Sequence, residues 1–486
     1  MNISTRKSVT LAGMATLFAL LFTQQGTGFN IFLFTLAWLV ISPVLRPYNL
    51  VGYSARLAVF CLLWSSICWA VFDSLIARFV YGIAFVLVTG TVQGSSMRFL
   101  GYPFLLGISS WLLLPWSATH LTFGGVRRKA LSRWIATTAL PLLLMAIFLL
   151  IYWTGNPGLA RWLGSWRQFG HWMIWSNWLV PYLLMGLTGL FVLLPLAIQH
   201  PWAPMIDRQE KQWRSTMHRQ VSRSSGQFPI MALKQEYLCG LLSLAGLNGI
   251  LLIVNVLDVY AVWLGQRLDS PQELSAFVHQ GTAWLILSIL LAGLVLLWIF
   301  RGNLNFFPAN RWLTGLAYFW LAQNACLALS VGLRNAHYTH LYGLTYLRIG
   351  LFFFLLLVLL GLWSLARKVA FRQTVYGWLS SYTRWVLIAF AMLASFSWDT
   401  LLTRYNVQAI RQEHLDVAHL FDLASAKNLP ILEANRDLLL AAGPFPEPEL
   451  DQLLREKRLQ LIHRWDRKGS LGFSLQDWWV RADLRD

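Results

Sequence analysis

Asn248, Asn255 and Asp258 stand 7 and 3 residues apart, a spacing that stacks all three on one face of a helix. Further along, His279 and Gln280 open an apolar run, and Arg334, His337, His340, Tyr342, Thr345 and Arg348 gather where two other runs meet. Ionisable groups at membrane depth are costly and usually paired, so a contact of Asp258 with Arg348 or His279 is the expected link between these groups. Carboxylate, imidazole and guanidinium together could bind a ligand or a lipid headgroup. They could equally do no more than hold helices together at a wetted interface. His337-x-x-His340 has metal-ligand types at a usable spacing, with Asp258 or His279 to complete a shell. Two histidines in a short interfacial loop more often face headgroups, so no metal and no cofactor is assigned.

The elements that position these residues follow from composition. Of 486 residues, 57% are hydrophobic and 12% charged, with 26 Trp and 30 Phe. A soluble chain carries about 25% charged residues. Apolar runs of roughly 20 residues recur, each long enough to cross a hydrocarbon core of about 30 Å. The expectation is an all-α polytopic transmembrane helix bundle with a small helical extramembrane tail at the carboxy-terminal end. A water-soluble enzyme, a coiled coil, a disordered chain and a nucleic-acid-binding domain are excluded. About twelve spans are expected, with a transmembrane domain over 1–404, a basic loop over 199–235 and a charged tail over 405–486. In that arrangement the eighth span ends at Asp258, the ninth starts at His279, the tenth ends at Arg334 and the eleventh starts at Tyr342. Asn255, Asp258, His279, Gln280, His337, His340, Tyr342, Thr345 and Arg348 would then share one membrane face as a candidate ligand or lipid pocket.

Charge sets the expected orientation. Residues 1–400 hold 27 Lys and Arg against 8 Asp and Glu, whereas 401–486 hold 12 against 13. The excess is read as orientation signal and headgroup contact, not as a nucleic-acid surface. Twelve spans put seventeen basic residues on one side and ten on the other, and the richer side should be cytoplasmic. It includes the cluster Arg127, Arg128, Lys129 and Arg133 and the basic residues of 199–235. In the tail, Leu450, Leu453, Leu454, Leu461, Ile462 and Trp465 recur at helical spacing and give one helix a face to bury. The pair Trp478-Trp479 is expected to anchor the end to the membrane surface or to the first helix. Cys61, Cys68, Cys239 and Cys326 lie in apolar runs and read as small buried hydrophobes. Phosphate loops, His-Glu-x-x-His and Gly-x-Ser-x-Gly are absent from the sequence.

Several segments occur in an order that resembles one bacterial multi-pass family. They include Glu236 to Asn255 with Asp258, Phe277 to Thr282 and, most specifically, Tyr342-Gly343-Leu344-Thr345-Tyr346-Leu347-Arg348. Arg404-Tyr405-Asn406, His414-Leu415-Asp416 and Asn428-Leu429-Pro430 follow. The family is the one catalogued as domain of unknown function 4173, with the related group 4153. The resemblance implies a multi-pass protein of the bacterial cytoplasmic (inner) membrane and carries over no activity.

Three classes of function fit these residues. A sensor, scaffold or assembly partner is favoured, because catalytic signatures are missing while 199–235 and 405–486 offer surfaces to a membrane or envelope protein, with membrane lipids as the other partner. A transporter or lipid-handling protein is the alternative. A membrane-embedded enzyme acting on a lipid-linked substrate is the third.

Overall fold

A computed structural model describes residues 2–3, 5–46, 52–94, 97–113, 122–123, 179–198, 200–219, 229–260, 282–410, 415–423 and 426–484. The Arg127 cluster, His279 and Gln280 lie outside these residues. The described residues are helical apart from turns and a two-residue parallel pairing of Asn2–Ile3 with Thr122–Phe123. In order the helices are α1 (Thr5–Phe22), α2 (Phe29–Leu45), α3 (Tyr53–Phe72), α4 (Leu75–Gln93), α5 (Gly101–Leu112), α6 (Leu179–Ala197), α7 (Ala203–Gln212), α8 (Pro229–Asp258) and α9 (Thr282–Ile299). They continue as α10 (Asn310–Tyr342), α11 (Tyr346–Ala370), α12 (Val375–Leu393), α13 (Trp398–Ala409), α14 (Val417–Asp422), α15 (Leu429–Ala434), α16 (Arg436–Ala442), α17 (Glu447–Asp466) and α18 (Leu475–Asp483).

Among the described residues, six helices are long and apolar enough to cross a membrane, namely α3, α4, α6, α8, α10 and α11. The pair α12 and α13, bent by 66°, makes a seventh if it is one broken span. Twelve spans are therefore not reached among the described residues. Part of the difference is physical: the apolar helix α2, at 17 residues, is shorter than any of the six. The apolar run at 135–153 expected to form one span, and residues 114–119 and 171–178 of its neighbours, lie outside the described residues. Leu242, Ile250, Ile253, Val256 and Leu257 of α8 are all exposed, as expected of a helix side solvated by lipid rather than water.

The chain forms two compact units, residues 1–210 with 394–396 and 460–486, and residues 211–393 with 397–459. Compactness thus divides the chain at 210 and again inside the tail, whereas composition changes near 404. In the first unit α3 packs on α4, α4 on α5 and α1 on α6. Gly90 of α4 lies so close to the Pro103 carbonyl of α5 that a Cβ would collide with it. The end of the tail belongs to this unit. Gly469 N donates to Gln25 O and Phe29 N to Phe473 O. Lys468 Nζ lies 2.9 Å from Asp73 and 2.8 Å from Asp477, and Asp477 also caps α18 through Ser474. Helix α18 packs on α3, and Trp478 and Trp479 remain about half exposed.

The second unit is built on α8, α9, α10, α11 and α12, with a core that includes Leu244, Leu251, Leu296, Phe300, Leu313, Trp320, Leu327, Leu355 and Leu362. Helices α8 and α10 run parallel: Tyr237 meets Ala309, Asn248 meets Leu316 and Asn255 meets Gln323. The expected basic loop is partly helical, since α7 occupies 203–212 and α8 begins at Pro229. The tail contains short helices α14, α15 and α16 before the longer α17.

Candidate functional site

Helix α8 carries Asn248, Asn255 and Asp258 on the side that faces α10, as their spacing requires. Asn248 donates to the Leu244 and Leu316 carbonyls at 2.7 and 3.1 Å, which fixes its oxygen toward Gln323 Nε2 at 2.7 Å. One level further, Asn255 Nδ2 donates to the Gln323 carbonyl at 3.1 Å. Asp258 then forms an ion pair with Arg334, and both side chains are more than nine-tenths buried. Hydrogen bonds of this kind join helices where the surrounding apolar side chains cannot specify a register.

The expected partner of Asp258 was Arg348 or His279; the structure gives it Arg334. Arg348 turns the other way. Its Nη1 donates to the carbonyls of Tyr342 at 2.9 Å and Gly343, and its guanidinium lies 4.4 Å from the Tyr338 ring centre. Those two carbonyls belong to the end of α10 and the residue after it, where backbone acceptors lack helical partners. The seam and the joint are tied by consecutive residues of α10: Arg334 pairs with Asp258 while Asn335 Nδ2 donates to the Arg348 carbonyl at 3.1 Å. His337 and His340 are not in a turn. They occupy the last turns of α10 and are exposed.

The joint between α10 and α11 has a second clamp. Gly343 adopts φ +82°, a left-handed conformation open to glycine, and lets the chain reverse into α11, whose first turn Thr345 caps. Leu344 N donates to Asn406 Oδ1 at 2.5 Å and Asn406 Nδ2 returns a bond to Leu344 O at 3.0 Å. One asparagine of α13 thus satisfies both backbone groups of a buried residue. Around it lies a cavity of about 220 Å³ lined by Tyr342, Thr345, Arg348, Asn406, Asp416 and His419, among others. Of the nine candidate residues, Tyr342, Thr345 and Arg348 meet here, Asn255 and Asp258 meet in the seam, and His337 and His340 join neither.

The tail is fastened to the same end. Asn428 donates to Thr403 Oγ1 of α13 and to the Leu420 carbonyl, both at 3.0 Å. Lys457 is 3% exposed and its ammonium donates to the carbonyls of Leu420, Phe421 and Leu423 at 3.3, 2.7 and 3.2 Å. Arg436 grips Asp451 with two parallel bonds of 2.8 and 3.0 Å, joining α16 to α17. That hydrogen bonding holds the Asp451 carboxyl below the usual carboxylate range. Lys457 and Asn428 were not among the candidates, yet a signal existed: Lys457 falls 3 after Leu454 and 4 before Leu461, inside the apolar stripe.

The segments that meet at this joint, Tyr342 to Arg348, Arg404 to Asn406 and Asn428 to Pro430, are among those that carry the family resemblance. The family model described as Domain of unknown function (DUF4153) matches residues 51–435. The chain belongs to this family. No curated protein and no solved structure matches it. Membership in the DUF4153 family agrees with the related group named from the sequence, and it brings no activity to the joint.

Chemistry separates a binding role for Arg348 from a joining one. A guanidinium can serve two carbonyls at fixed angles, whereas an ammonium is a point donor on a flexible stem. Arg348→Ala is expected to lower stability by about 1–3 kcal/mol, the usual cost of buried acceptors left unmade. Arg348→Lys should fall between it and wild type. Thermal unfolding of the purified variants checks this, and wild-type melting of Arg348→Ala would remove the residue from the joint.

Proposed function

We propose that this DUF4153 protein is a membrane-embedded scaffold or assembly partner whose tail is the presenting surface. The observation that carries the reading is the fastening of the tail. Asn406 and Lys457 spend their hydrogen bonds on backbone groups and Asn428 divides its own between Thr403 Oγ1 and the Leu420 carbonyl, which fixes α13, α14 and α17 as a shaped platform rather than a loose appendage. Of the ionisable groups expected to form a pocket, Asp258 and Arg348 are engaged in joining helices, which weighs against a catalytic role for those two. The proposed setting is a bacterial cytoplasmic membrane crossed about twelve times, with 199–235 on the cytoplasmic side and the tail on the other.

The transport alternative has one observation in its favour. Asn255 Oδ1, Asp258 Oδ2 and Gln323 Oε1 are buried acceptors with no hydrogen-bond partner among the described residues. Water along the α8–α10 seam would satisfy them.

Photo-crosslinking from Arg455 and Leu459, both exposed on α17, tests the scaffold reading in intact cells. One discrete protein adduct, lost when Lys457→Met loosens the platform, is the expected result. Adducts to lipid alone, or none at any exposed tail position, would overturn it.

A further inference from the structure

At the opposite end of the second unit, α9 and α11 finish and α12 begins. Arginines there lie over aromatic rings: Arg301 over Trp298 at 5.2 Å, Arg311 over Trp312 at 5.5 Å, Arg367 over Trp363 at 5.1 Å and Arg372 over Phe306 at 5.0 Å. Trp298, Trp312 and Trp363 are 49%, 64% and 45% exposed. Amphipathic rings capped by cations mark the level at which hydrocarbon gives way to headgroups.

A cavity of about 440 Å³ opens at this level, lined by Arg214, Thr216, His218, Arg301, Asn303 and Thr374, among others. Among the described residues no carboxylate lines it. Its wall is built. The stretch carrying Arg214 and His218 is bridged antiparallel to the α11–α12 turn, Thr216 against Gln373. Met217 N donates to Arg372 O at 2.8 Å, Thr374 N to Ser215 O at 3.0 Å and Thr374 Oγ1 to Arg214 O at 2.8 Å. Gly377 lies so near Ser215 O that a Cβ would collide with it, so the approach depends on that glycine. Arg214 is therefore carried on a strand-like segment held by three hydrogen bonds, and Arg301 lines the same cavity.

We propose that this cavity binds a phosphate group, supplied by the headgroup of an anionic lipid. Two guanidiniums and hydroxyl and amide donors, with no opposing carboxylate, suit a phosphate diester. The aromatic level puts the cavity where such headgroups lie. A soluble phosphate offers the same chemistry, so the test separates the two sources.

The test uses the full chain, purified in detergent and stripped of lipid, with phosphatidylglycerol, phosphatidylcholine and inorganic phosphate as probes. Native mass spectrometry counts bound lipid, and thermal unfolding reads stabilisation by each probe. Wild type should hold phosphatidylglycerol in preference to phosphatidylcholine. The double variant Arg214→Gln/Arg301→Gln should bind it about tenfold or more weakly, as expected for lost charge-assisted bonds. Arg214→Lys/Arg301→Lys should retain part of the binding, and Arg458→Gln in the tail should retain all. Lipid-free unfolding of each variant reports folding. If the double variant melts early, Arg214→Gln alone, an exposed position, replaces it. Stabilisation by inorganic phosphate in the absence of lipid, lost in the same variant, would keep the phosphate site and assign it to a soluble source. Phosphatidylcholine bound as well as phosphatidylglycerol, or a folded double variant that binds every probe like wild type, overturns the proposal.

Discussion

Arg334→Met should lower the stability of the purified protein by about 3–5 kcal/mol, the cost of breaking a buried ion pair from one side. Asp258 is more than nine-tenths buried, and among the described residues its carboxylate takes a hydrogen bond from Arg334 alone. Methionine fills a similar volume without charge, so the loss is one of pairing more than of packing. The companion Asp258→Leu/Arg334→Met removes both charges and should recover most of the stability, because an apolar pair can replace a buried ion pair at little cost. Chemical unfolding in micelles, followed by Trp fluorescence, measures both. Equal losses in the single and double variants would mean that Arg334 acts mainly through its other contacts. Wild-type behaviour of the single variant would remove the pair from the fold.

This pair also marks where the sequence was legible. The spacing of Asn248, Asn255 and Asp258 was enough to place them on one face, and they line the contact with α10. Arg334, not Arg348, meets Asp258 because α10 runs on past Arg334, where the apolar run gives way to polar residues. Nothing between Arg334 and Tyr342 breaks a helix; the first glycine is Gly343, and α10 runs on to it. Extending the helix by two turns moves Arg334 from a turn into a buried face and leaves His337 and His340 exposed. Hydropathy reports the medium around a helix. Its end is set by backbone chemistry.

The tail was legible in its composition and not in its attachment. Its apolar stripe does bury Leu450, Leu454 and Leu461. Inside that stripe, Lys457 holds α17 in place through the carbonyls of Leu420, Phe421 and Leu423. A lysine that donates to three carbonyls can be buried, since its proton donors are satisfied and its stem is apolar. Lys368, 2% exposed, is also buried, and its ammonium donates to the Phe300 carbonyl at the end of α9. Both sit where helices or turns leave carbonyls unserved, information that emerges only when the elements are placed together.

Asn406→Leu should have the second large effect, about 2–6 kcal/mol, because it orphans two backbone groups at once. Leucine matches asparagine closely in shape, so packing is nearly preserved while the N–H and the carbonyl of buried Leu344 lose their partner. Each unsatisfied buried group costs about 1–3 kcal/mol. Asn406→Asp is the sharper comparison. A carboxylate still accepts from Leu344 N but cannot donate to Leu344 O, and the two acceptors would repel, so the clamp should open on one side only. Gly343→Ala approaches the same clamp from the other chain. Its added Cβ would lie 2.9 Å from Asn406 Oδ1, at a φ of +82° that alanine adopts at a cost. The three variants therefore strain one junction by different routes. Because Asn406 lies on α13 and Asn428 binds α13 through Thr403, opening the clamp should also loosen the tail. Limited proteolysis of the purified variants should release the tail faster from Asn406→Leu than from wild type, with Asn406→Asp between. If Asn406→Leu melts earlier yet protects its tail fully, the joint and the platform are independent, and the scaffold reading loses its link to the membrane helices.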